Sequence, residues 1–283
     1  MSTTEKANFG LIGNPVSHSL SPLMHNAAFK ALGIDGHYQL FELKAEEVES
    51  FLRSLNQRGV CGLNVTIPYK EKVIPFLDKL NPQAELIGAV NTIKNSGGKL
   101  EGFNTDGDGF IRHLKEDLKF IPEGKKIAVI GAGGASRAIS VCLAQNKVRQ
   151  ISIYDVDQKR LLALAGLLGE HFKGQEFKIA PSIAGLKIEE CDLLVNTSPV
   201  GMKNSDPELV DSRFLHSGML VYDIIYNPAQ TRLLETAKEK GAAAANGLGM
   251  LLYQGVLAFE IWTGQKAPVE IMRQALTEGA KKI

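Results

Sequence analysis

The feature that most constrains this chain is a buried strand, a glycine-rich loop and a helix that follow one another in KKIAVIGAGGASRAISVCLAQ, residues 125–145. Gly131 and Gly133 match the first two glycines of the pattern G-x-G-x-x-G/A, and Ser136 stands at its third position. The first glycine allows a tight turn, the second lets a pyrophosphate approach the backbone, and the helix N-terminus attracts the anion. The loop therefore predicts dinucleotide binding by Gly131, Ala132, Gly133, Gly134 and Ala135. The alternative is a tight turn in an α/β domain that binds no nucleotide.

Strands alternate with helices on both sides of this loop, which indicates an α/β fold with βαβ units and a parallel sheet. The chain has 283 residues, and at about 150 residues per domain two domains are expected, with one large domain as the alternative. A domain boundary is predicted near Asp106 and a second crossing near Gly247. Three local predictions concern the first part: a helix over residues 69–80, Ser21 and Pro22 as N-cap and first residue of another helix, and a hairpin turn at Gly97-Gly98.

Composition excludes several classes of partner. Thirty-two basic and 31 acidic residues give a net charge of +1 without a long basic run, so neither nucleic acid nor a membrane is expected as a partner. The N-terminus lacks a signal-peptide pattern, and no apolar run reaches the roughly 18 residues of a membrane span, so a cytoplasmic location is expected. No metal site is expected, and three widely spaced cysteines are interpreted as buried free thiols: Cys61, Cys142 and Cys191.

An acidic residue, Asp155, ends the strand that follows the glycine loop, in ISIYDVD. An acid at this place hydrogen-bonds the adenosine ribose 2′-hydroxyl and repels a 2′-phosphate, so Asp155 favours NAD over NADP. Lys159 and Arg160 complicate this interpretation, because an arginine can hold a 2′-phosphate. The alternative role for Asp155 is to cap the helix that begins in DQKRLLALAG.

A lysine, Lys70, stands in the first turn of the helix predicted after the strand GLNVTI. A helix N-terminus carries partial positive charge, so an exposed lysine in the first turn is unfavourable by roughly 0.3–1 kcal/mol. Either Lys70 points into water, or another group holds it. Asp106, taken alone, is interpreted as a helix N-cap ahead of GDGF.

Eight motifs follow one another from about Gly13 to Gln274: GNPVSHSLSPLMHNAAF, GLNVTIPYKE, GAVNTI, GFNTDGDGF, GAGGASRA, NTSPVGM, YDIIYNP and NGLGMLLYQG. Together they resemble the shikimate dehydrogenase family. The resemblance implies an N-terminal α/β substrate domain, residues 1–105, completed by C-terminal helices within 247–283. It also implies a Rossmann dinucleotide-binding domain, residues 106–246, and an active site in the cleft between the two domains.

The resemblance further implies a catalytic pair, in which Lys70 is the lysine of the NVT-P-K motif and Asp106 the aspartate of NTDG. Reduction of a ketone by hydride transfer produces an alkoxide, which needs a proton donor nearby. An ammonium beside a carboxylate supplies both charge stabilisation and a proton. Which member of the pair donates the proton stays open.

Other residues match substrate and cofactor contacts of the family. Ser19 and Ser21 match the serines that bind the substrate carboxylate, and hydroxyl donors beside a helix start suit an anion. The residues that match contacts to the ring hydroxyls, or to substrate and nicotinamide together, are Thr66, Asn91, Gln254 and Tyr226. The further cofactor matches are Arg160, Asn196, Thr197, Ser198, Gly201 and Gly247. Most of these have a plain structural alternative, such as an N-cap, a core amide, a core aromatic or a strand-end loop; His18 and His25 are interpreted as structural.

The chain departs from the family pattern at one place. NADP-dependent members of the family show the sequence NRT, followed by a further arginine, where this chain has Asp155, Val156 and Asp157. Val156 replaces the arginine expected to hold the 2′-phosphate, and only the later arginine is kept, as Arg160. Two acids in place of a cation disfavour a 2′-phosphate, which resembles the NAD-using quinate/shikimate branch.

The expected function is the reversible NAD(P)-dependent reduction of 3-dehydroshikimate to shikimate, in aromatic amino acid and chorismate biosynthesis. The first alternative is an NAD-dependent quinate/shikimate dehydrogenase of broader substrate range, acting in catabolism. The second is a non-catalytic sensor of shikimate or nucleotide on the same fold. A small-molecule substrate is expected in each case, and assembly as a homodimer is left open.

Overall fold

The computed structural model describes residues 7–282, which divide into two compact units. The first consists of residues 7–109 together with 251–282, and the second of residues 110–250. The boundaries expected from the sequence lie a few residues before these divisions, and residues 1–6 and 283 of the expected domains lie outside the described part. Within residues 7–282, no helix has the length and apolar composition to cross a membrane.

The described part is a mixed α/β structure. Its strands, in chain order, are β1 (Ala7–Gly13), β2 (Gly36–Glu42), β3 (Val60–Val65), β4 (Lys79–Leu80), β5 (Thr92–Ser96), β6 (Lys99–Phe103), β7 (Lys126–Ile130), β8 (Gln150–Tyr154), β9 (Glu176–Ile179), β10 (Leu193–Asn196), β11 (Leu220–Asp223) and β12 (Ala243–Asn246). Its α-helices are α1 (Ser21–Ala31), α2 (Val48–Arg53), α3 (Pro82–Ile87), α4 (Asp106–Glu116), α5 (Gly134–Gln145), α6 (Gln158–His171), α7 (Arg232–Glu239), α8 (Leu248–Thr263) and α9 (Val269–Ala280).

The sheet of the first unit has the order β2-β1-β3-β5-β6-β4. Strand β1 runs parallel to β2 and β3, whereas β5 runs antiparallel to β3 and β6. The predicted hairpin is confirmed, because Ser96 pairs with Lys99 across Gly97 and Gly98. These glycines have φ values of 64° and 97°, a backbone region that favours residues without a Cβ.

The helix predicted over residues 69–80 is wrong. The chain there forms turns, a short 3-10 turn at Ile74–Phe76 and strand β4. The carbonyl of Lys70 accepts from the amide of Val90 at 2.8 Å, so a residue distant in the chain occupies it. Pro75 has no amide hydrogen to donate, which interrupts a helix in its middle.

Helix α1 begins one residue earlier than the sequence predicted. Its N-cap is Leu20, and Ser21 and Pro22 are its first two residues, so the prediction of Ser21 as N-cap is wrong. The amide of Ser21 donates to the hydroxyl oxygen of Ser19 at 3.2 Å.

Helix α8 packs directly on the sheet of the first unit. The indole nitrogen of Trp262 donates to the carbonyl of Ile93 on β5 at 2.9 Å. A Cβ at Gly62 on β3 would collide with the Trp262 ring, so glycine is needed at this position. Contacts of this kind make the C-terminal helices part of the first unit.

The sheet of the second unit is parallel throughout, in the order β12-β11-β10-β7-β8-β9. Counted from β7, this is the Rossmann order, in which the first and fourth strands are neighbours and the strand order reverses between them. Ligands of such sheets bind outside the carboxyl ends of the strands at this reversal. The predicted parallel sheet is therefore confirmed.

Candidate active site

The predicted catalytic pair lies at the start of α4. The Lys70 ammonium donates to Oδ2 of Asp106 at 2.6 Å, and the two side chains are 20% and 8% exposed. Solvent screens such a shielded pair much less than a surface pair, so each charge fixes the position of the other. Asp106 is the first residue of α4, and its carboxylate binds side chains instead of the helix amides that an N-cap would take.

Asn91 connects this pair to other polar side chains of the first unit. Its buried amide donates to Oδ1 of Asp106 at 2.8 Å and to the Thr105 hydroxyl at 2.9 Å. Its oxygen accepts from the Thr105 amide at 2.8 Å. Oε1 of Gln254, on α8, lies 3.4 Å from the same Asn91 nitrogen. Four predicted site residues are thereby brought together: Lys70, Asn91, Asp106 and Gln254.

Sequence reasoning missed Asn104 and Thr105, which hold the loop before α4. Asn104 accepts from the Asp106 amide at 3.1 Å and donates to the Ala89 carbonyl at 2.9 Å. The Thr105 hydroxyl donates to the Gln254 carbonyl at 3.1 Å. Their signal in the sequence is the pair of polar residues directly before Asp106, because buried polar side chains need partners.

The predicted carboxylate ligands, Ser19 and Ser21, lie after β1 and at the start of α1. Ser21 is buried and Ser19 half-buried. A side-chain hydrogen bond joins Ser21 to the hydroxyl of Tyr38. Burial raises the pKa of this hydroxyl well above its ordinary value. Thr66 follows β3, and its amide donates to the Ile12 carbonyl on β1 at 2.9 Å. These residues therefore follow the carboxyl ends of two adjacent parallel strands.

His25 is buried in the same region, but neither of its ring nitrogens has a hydrogen-bond partner among residues 7–282. Burial lowers its pKa from 6.5 to about 3, so the imidazole is neutral at physiological pH. Its ring stacks on Tyr38 with centroids 4.4 Å apart. His18 is exposed. The structural interpretation of His25 agrees with this environment, which offers no partner for proton transfer.

The glycine loop of the second unit has the shape that a pyrophosphate needs. Gly131 has a φ of 109°, and a Cβ there would collide with the Thr197 hydroxyl. Gly133 and Gly134 face open space, and Gly133 is the N-cap of α5 without a side-chain cap. The Ser136 hydroxyl donates to the Gly131 carbonyl at 2.5 Å, which explains a serine at the third motif position. These residues fit a dinucleotide, because the N-terminus of α5, whose N-cap residue provides no side-chain cap, lies beside an unobstructed loop.

Asp155 holds the glycine loop through hydrogen bonds to the backbone. Its Oδ2 accepts from the Ala132 amide at 2.5 Å, and its Oδ1 accepts from the Asp157 amide at 2.7 Å. The residue that caps α6 is Asp157, which accepts from the amides of Lys159 and Arg160, so the capping alternative for Asp155 is wrong. Each carboxylate oxygen of Asp155 can accept a second hydrogen bond, so a ribose hydroxyl remains a feasible partner.

The loop after β10 is held by a buried carboxylate that sequence reasoning missed. Asn196 donates to the Val200 carbonyl and to Oδ1 of Asp223, each at 3.1 Å. Oδ2 of Asp223 accepts from the Thr231 hydroxyl at 2.7 Å. Burial raises the pKa of Asp223, and these hydrogen bonds oppose that effect. The Thr197 hydroxyl donates to the Ile130 carbonyl at the end of β7 at 2.7 Å.

The other predicted residues of the second unit lie in loops at the carboxyl ends of its strands. Gly201 has a φ of 112°, and its amide donates to Asp206 at 2.9 Å. Tyr226, after β11, is half-buried, and burial raises the pKa of its hydroxyl. A Cβ at Gly247 would collide with the Ile224 carbonyl.

The Rossmann order and the glycine loop place the second unit in the class of dinucleotide-binding domains. The family model described as shikimate dehydrogenase substrate binding domain matches residues 11–93, and that described as shikimate 5′-dehydrogenase C-terminal domain matches residues 247–277. A shikimate dehydrogenase (NADP(+)) of Methanopyrus kandleri is 48% identical over 95% of this chain and 94% of its own length. The chain belongs to the shikimate dehydrogenase family and is an oxidoreductase that acts on a CH–OH group.

Solved structures agree with this assignment. A shikimate dehydrogenase crystallised with NADP+ has a TM-score of 0.90 at 38% identity, covering 98% of this chain and 97% of its own. A shikimate 5-dehydrogenase of Listeria monocytogenes in complex with shikimate and NAD has a TM-score of 0.89 at 38% identity, covering 97% of both chains. The expected two-domain α/β fold with a Rossmann domain is therefore confirmed.

Proposed function

We propose that the protein oxidises shikimate reversibly to 3-dehydroshikimate, with NADP or NAD as the hydride acceptor. The observation that carries the proposal is the shielded contact of 2.6 Å between Lys70 and Asp106, surrounded by amide and hydroxyl groups. A positioned ammonium–carboxylate pair is the arrangement that proton transfer to and from an alcohol oxygen needs. The relatives named above carry this activity in their names.

The polar groups around the pair suit a hydroxylated ring with a carboxylate. The hydroxyls of Ser19 and Ser21 bind the carboxylate, and Thr66, Asn91 and Gln254 bind the ring hydroxyls. Each of these side chains can donate or accept, which matches hydroxyl groups that do both. Bound in this way, the reacting alcohol is held beside Lys70 in a fixed orientation, which lowers the entropic part of the barrier. Tyr226 of the second unit contacts substrate and nicotinamide.

The protein groups then have separate tasks. A nicotinamide, when bound, supplies a site that accepts or returns a hydride. In the reducing direction Lys70 donates a proton to the oxygen that becomes the alcohol, and in the oxidising direction it receives that proton back. Asp106 holds the Lys70 ammonium, and Asn91 holds Asp106 through Oδ1 at 2.8 Å.

The dinucleotide is held by the second unit. Residues 131–135 and the N-terminus of α5 bind the pyrophosphate. Thr197, Ser198, Gly201 and Gly247 line the remaining cofactor contacts, and the buried Asn196 holds their loop. Two observations support different cofactors, NADP and NAD, which differ at the adenosine ribose. The name of the Methanopyrus kandleri relative favours NADP, whereas Asp155 followed by the 85% exposed Val156 favours NAD. Arg160, which pairs with Asp157 at 3.2 Å, is the cation nearest in sequence for a 2′-phosphate.

The test is the initial rate of shikimate oxidation by the wild-type protein with NADP and with NAD, followed by Lys70→Met. We expect turnover with one or both cofactors, and a loss on the order of 10²-fold or more in Lys70→Met, with shikimate binding retained in calorimetry. The matched control is Lys79→Met, because Lys79 also pairs with a carboxylate, Glu101 at 2.7 Å, but lies on the surface. Unchanged turnover in Lys70→Met would contradict the assigned role of Lys70.

A broader quinate/shikimate dehydrogenase is the second candidate, supported by Asp155, Val156 and Asp157 in place of an arginine-bearing segment. Quinate oxidation with NAD at a rate comparable to that of shikimate would establish it. Binding of shikimate without turnover by either cofactor would instead favour the non-catalytic sensor, against which the paired Lys70 and Asp106 argue.

A further inference from the structure

A directed chain of buried hydrogen bonds runs from Tyr38 to Asp106. The Tyr38 hydroxyl donates to Oδ1 of Asn64 at 2.8 Å, and Nδ2 of Asn64 donates to the Thr92 hydroxyl at 3.1 Å. The Thr92 hydroxyl donates to Oδ1 of Asn91 at 3.0 Å, and Nδ2 of Asn91 donates to Oδ1 of Asp106 at 2.8 Å. All five residues are at most 6% exposed.

The direction of the chain is fixed by the backbone. Nδ2 of Asn64 also donates to the main-chain carbonyl of Asn91 at 3.2 Å, a group that can only accept and so cannot face the Asn64 oxygen. The Asn64 amide therefore turns its nitrogen toward Asn91 and its oxygen toward Tyr38. Because an amide oxygen only accepts, the Tyr38 hydroxyl must donate to it.

The Tyr38 ring is itself held in one place. It is 1% exposed, stacks on His25 at 4.4 Å, and lies 6.1 Å from the Trp262 ring. On its other side the hydroxyl is joined to Ser21. One phenol oxygen thus contacts the serine assigned to the substrate carboxylate and begins the chain that ends at the carboxylate beside Lys70.

We propose that Tyr38 and Thr92 are positioning residues, which set the orientation of the Asn91 amide and, through it, of Asp106. Neither residue contacts Lys70 through a hydrogen bond of this chain; both act through Asn64 and Asn91. This inference rests on the proposed function. A chain of donors pointing one way is cooperative, so loss of one link weakens those that follow.

The experiment compares Tyr38→Phe and Thr92→Val with two matched controls. Tyr69→Phe removes an equally buried hydroxyl of the same unit, whose 2.5 Å hydrogen bond goes to the Leu43 carbonyl outside the chain. Thr92→Ser keeps the hydroxyl at the second link. We expect kcat/KM for shikimate to fall about fivefold or more in Tyr38→Phe and Thr92→Val, with an unchanged KM for the dinucleotide. Both controls should stay within about twofold of the wild type.

The double variant gives a further readout that a merely structural role does not produce. Once one hydrogen bond of the chain is lost, removal of the other has little further effect on the orientation of Asn91. The loss of kcat/KM in Tyr38→Phe combined with Thr92→Val should therefore be much smaller than the product of the two single losses. Multiplicative losses, or a loss in Tyr69→Phe equal to that in Tyr38→Phe, would overturn the proposal. Thermal melting of every variant checks that each is folded.

A measurement without turnover separates this inference from the proposed function. Side-chain amide signals of Asn64 and Asn91, observed by NMR with selective ¹⁵N-asparagine labelling, report the chain directly. We expect both to shift in Tyr38→Phe and to stay unchanged in Tyr69→Phe. An unmoved Asn91 signal in Tyr38→Phe would overturn the inference even if the wild type oxidises shikimate. If the wild type shows no activity, the proposed function is refuted, and the NMR signals of Asn64 and Asn91 still decide whether Tyr38 orients the Asn91 amide.

Discussion

The two oxygens of the Asp106 carboxylate have different partners: Oδ2 accepts from the Lys70 ammonium at 2.6 Å and Oδ1 from the Asn91 amide at 2.8 Å. The two contacting groups, the Lys70 ammonium and Nδ2 of Asn91, only donate, so an amide in place of the carboxylate must turn its NH2 group toward one of them. Asp106→Asn is therefore expected to lower kcat for shikimate oxidation on the order of 10²-fold. The measurement is the initial rate at saturating shikimate and dinucleotide.

Asp108→Asn is the control for this change. Asp108 lies in the same first turn of α4 but is exposed. Asp108→Asn therefore changes the net charge and the charge at the helix start by the same amount as Asp106→Asn does. Its kcat should remain near that of the wild type. Equal losses in the two variants would show that charge at the helix start, and not the contact with Lys70, is what matters.

Cofactor preference should respond to position 156. Val156 is 85% exposed in the loop between β8 and α6, so an arginine is accommodated there without repacking. A charge-assisted hydrogen bond to a 2′-phosphate should raise the ratio of kcat/KM with NADP to that with NAD about tenfold in Val156→Arg. Ile121→Arg, which places the same charge at another exposed apolar position of the second unit, should leave the ratio unchanged.

The glycine loop predicts opposite results for two alanine substitutions. Gly131→Ala forces a Cβ onto a residue with a φ of 109° and against the Thr197 hydroxyl, which should lower the free energy of unfolding by about 1–2 kcal/mol or more and weaken dinucleotide binding. Gly166 lies within α6 beside open space, so Gly166→Ala should raise stability by up to about 1 kcal/mol. Urea denaturation and dinucleotide titration check both. A stable, fully binding Gly131→Ala would contradict the loop geometry described.

The buried His25 predicts a pH dependence of stability. Its pKa falls from 6.5 to about 3 on folding, so the unfolded chain binds more protons than the folded one between these values. The contribution of His25 to the free energy of unfolding is therefore fully present above about pH 7.5. Protonation of His25 in the unfolded chain should lower the free energy of unfolding by about 2 kcal/mol at pH 5. Urea denaturation followed by fluorescence of Trp262, which lies 5.3 Å from the His25 ring, reports it.

His25→Phe keeps a ring against Tyr38 but cannot be protonated, so its stability should fall less steeply over the same pH range. His37→Phe, at an exposed position of the same unit, should keep the wild-type dependence. Parallel pH profiles for the wild type and His25→Phe would show that His25 does not titrate on unfolding.

The elements that sequence reasoning predicted well are those whose cause is local. The turn at Gly131 follows from a glycine pattern between a buried strand and a helix, and the hairpin at Gly97-Gly98 follows from two adjacent residues. The assembly of Lys70, Asn91 and Asp106 has no local cause. It was expected only because the motifs resemble a known family.

The errors and omissions arise where distant contacts decide. The helix predicted over residues 69–80 is replaced because Val90 takes the Lys70 carbonyl and β4 pairs with β6. Strands β9 and β12 were not predicted, since each is four residues long at an edge of its sheet. The bond of Tyr38 to Asn64 joins residues 26 positions apart, a pairing that no sequence period indicates.

The contact between Gly62 and Trp262 has a consequence for biosynthesis of the chain. The first unit consists of residues that precede the second unit in the chain and residues that follow it, because α8 and α9 complete it. On the ribosome, residues 110–250 emerge before these helices do. The second unit can therefore fold while the first is still open, which reverses the usual order in which the N-terminal domain is finished first. Until Trp262 emerges, the apolar surface around β3 and β5 is left for a chaperone or for transient contacts to cover.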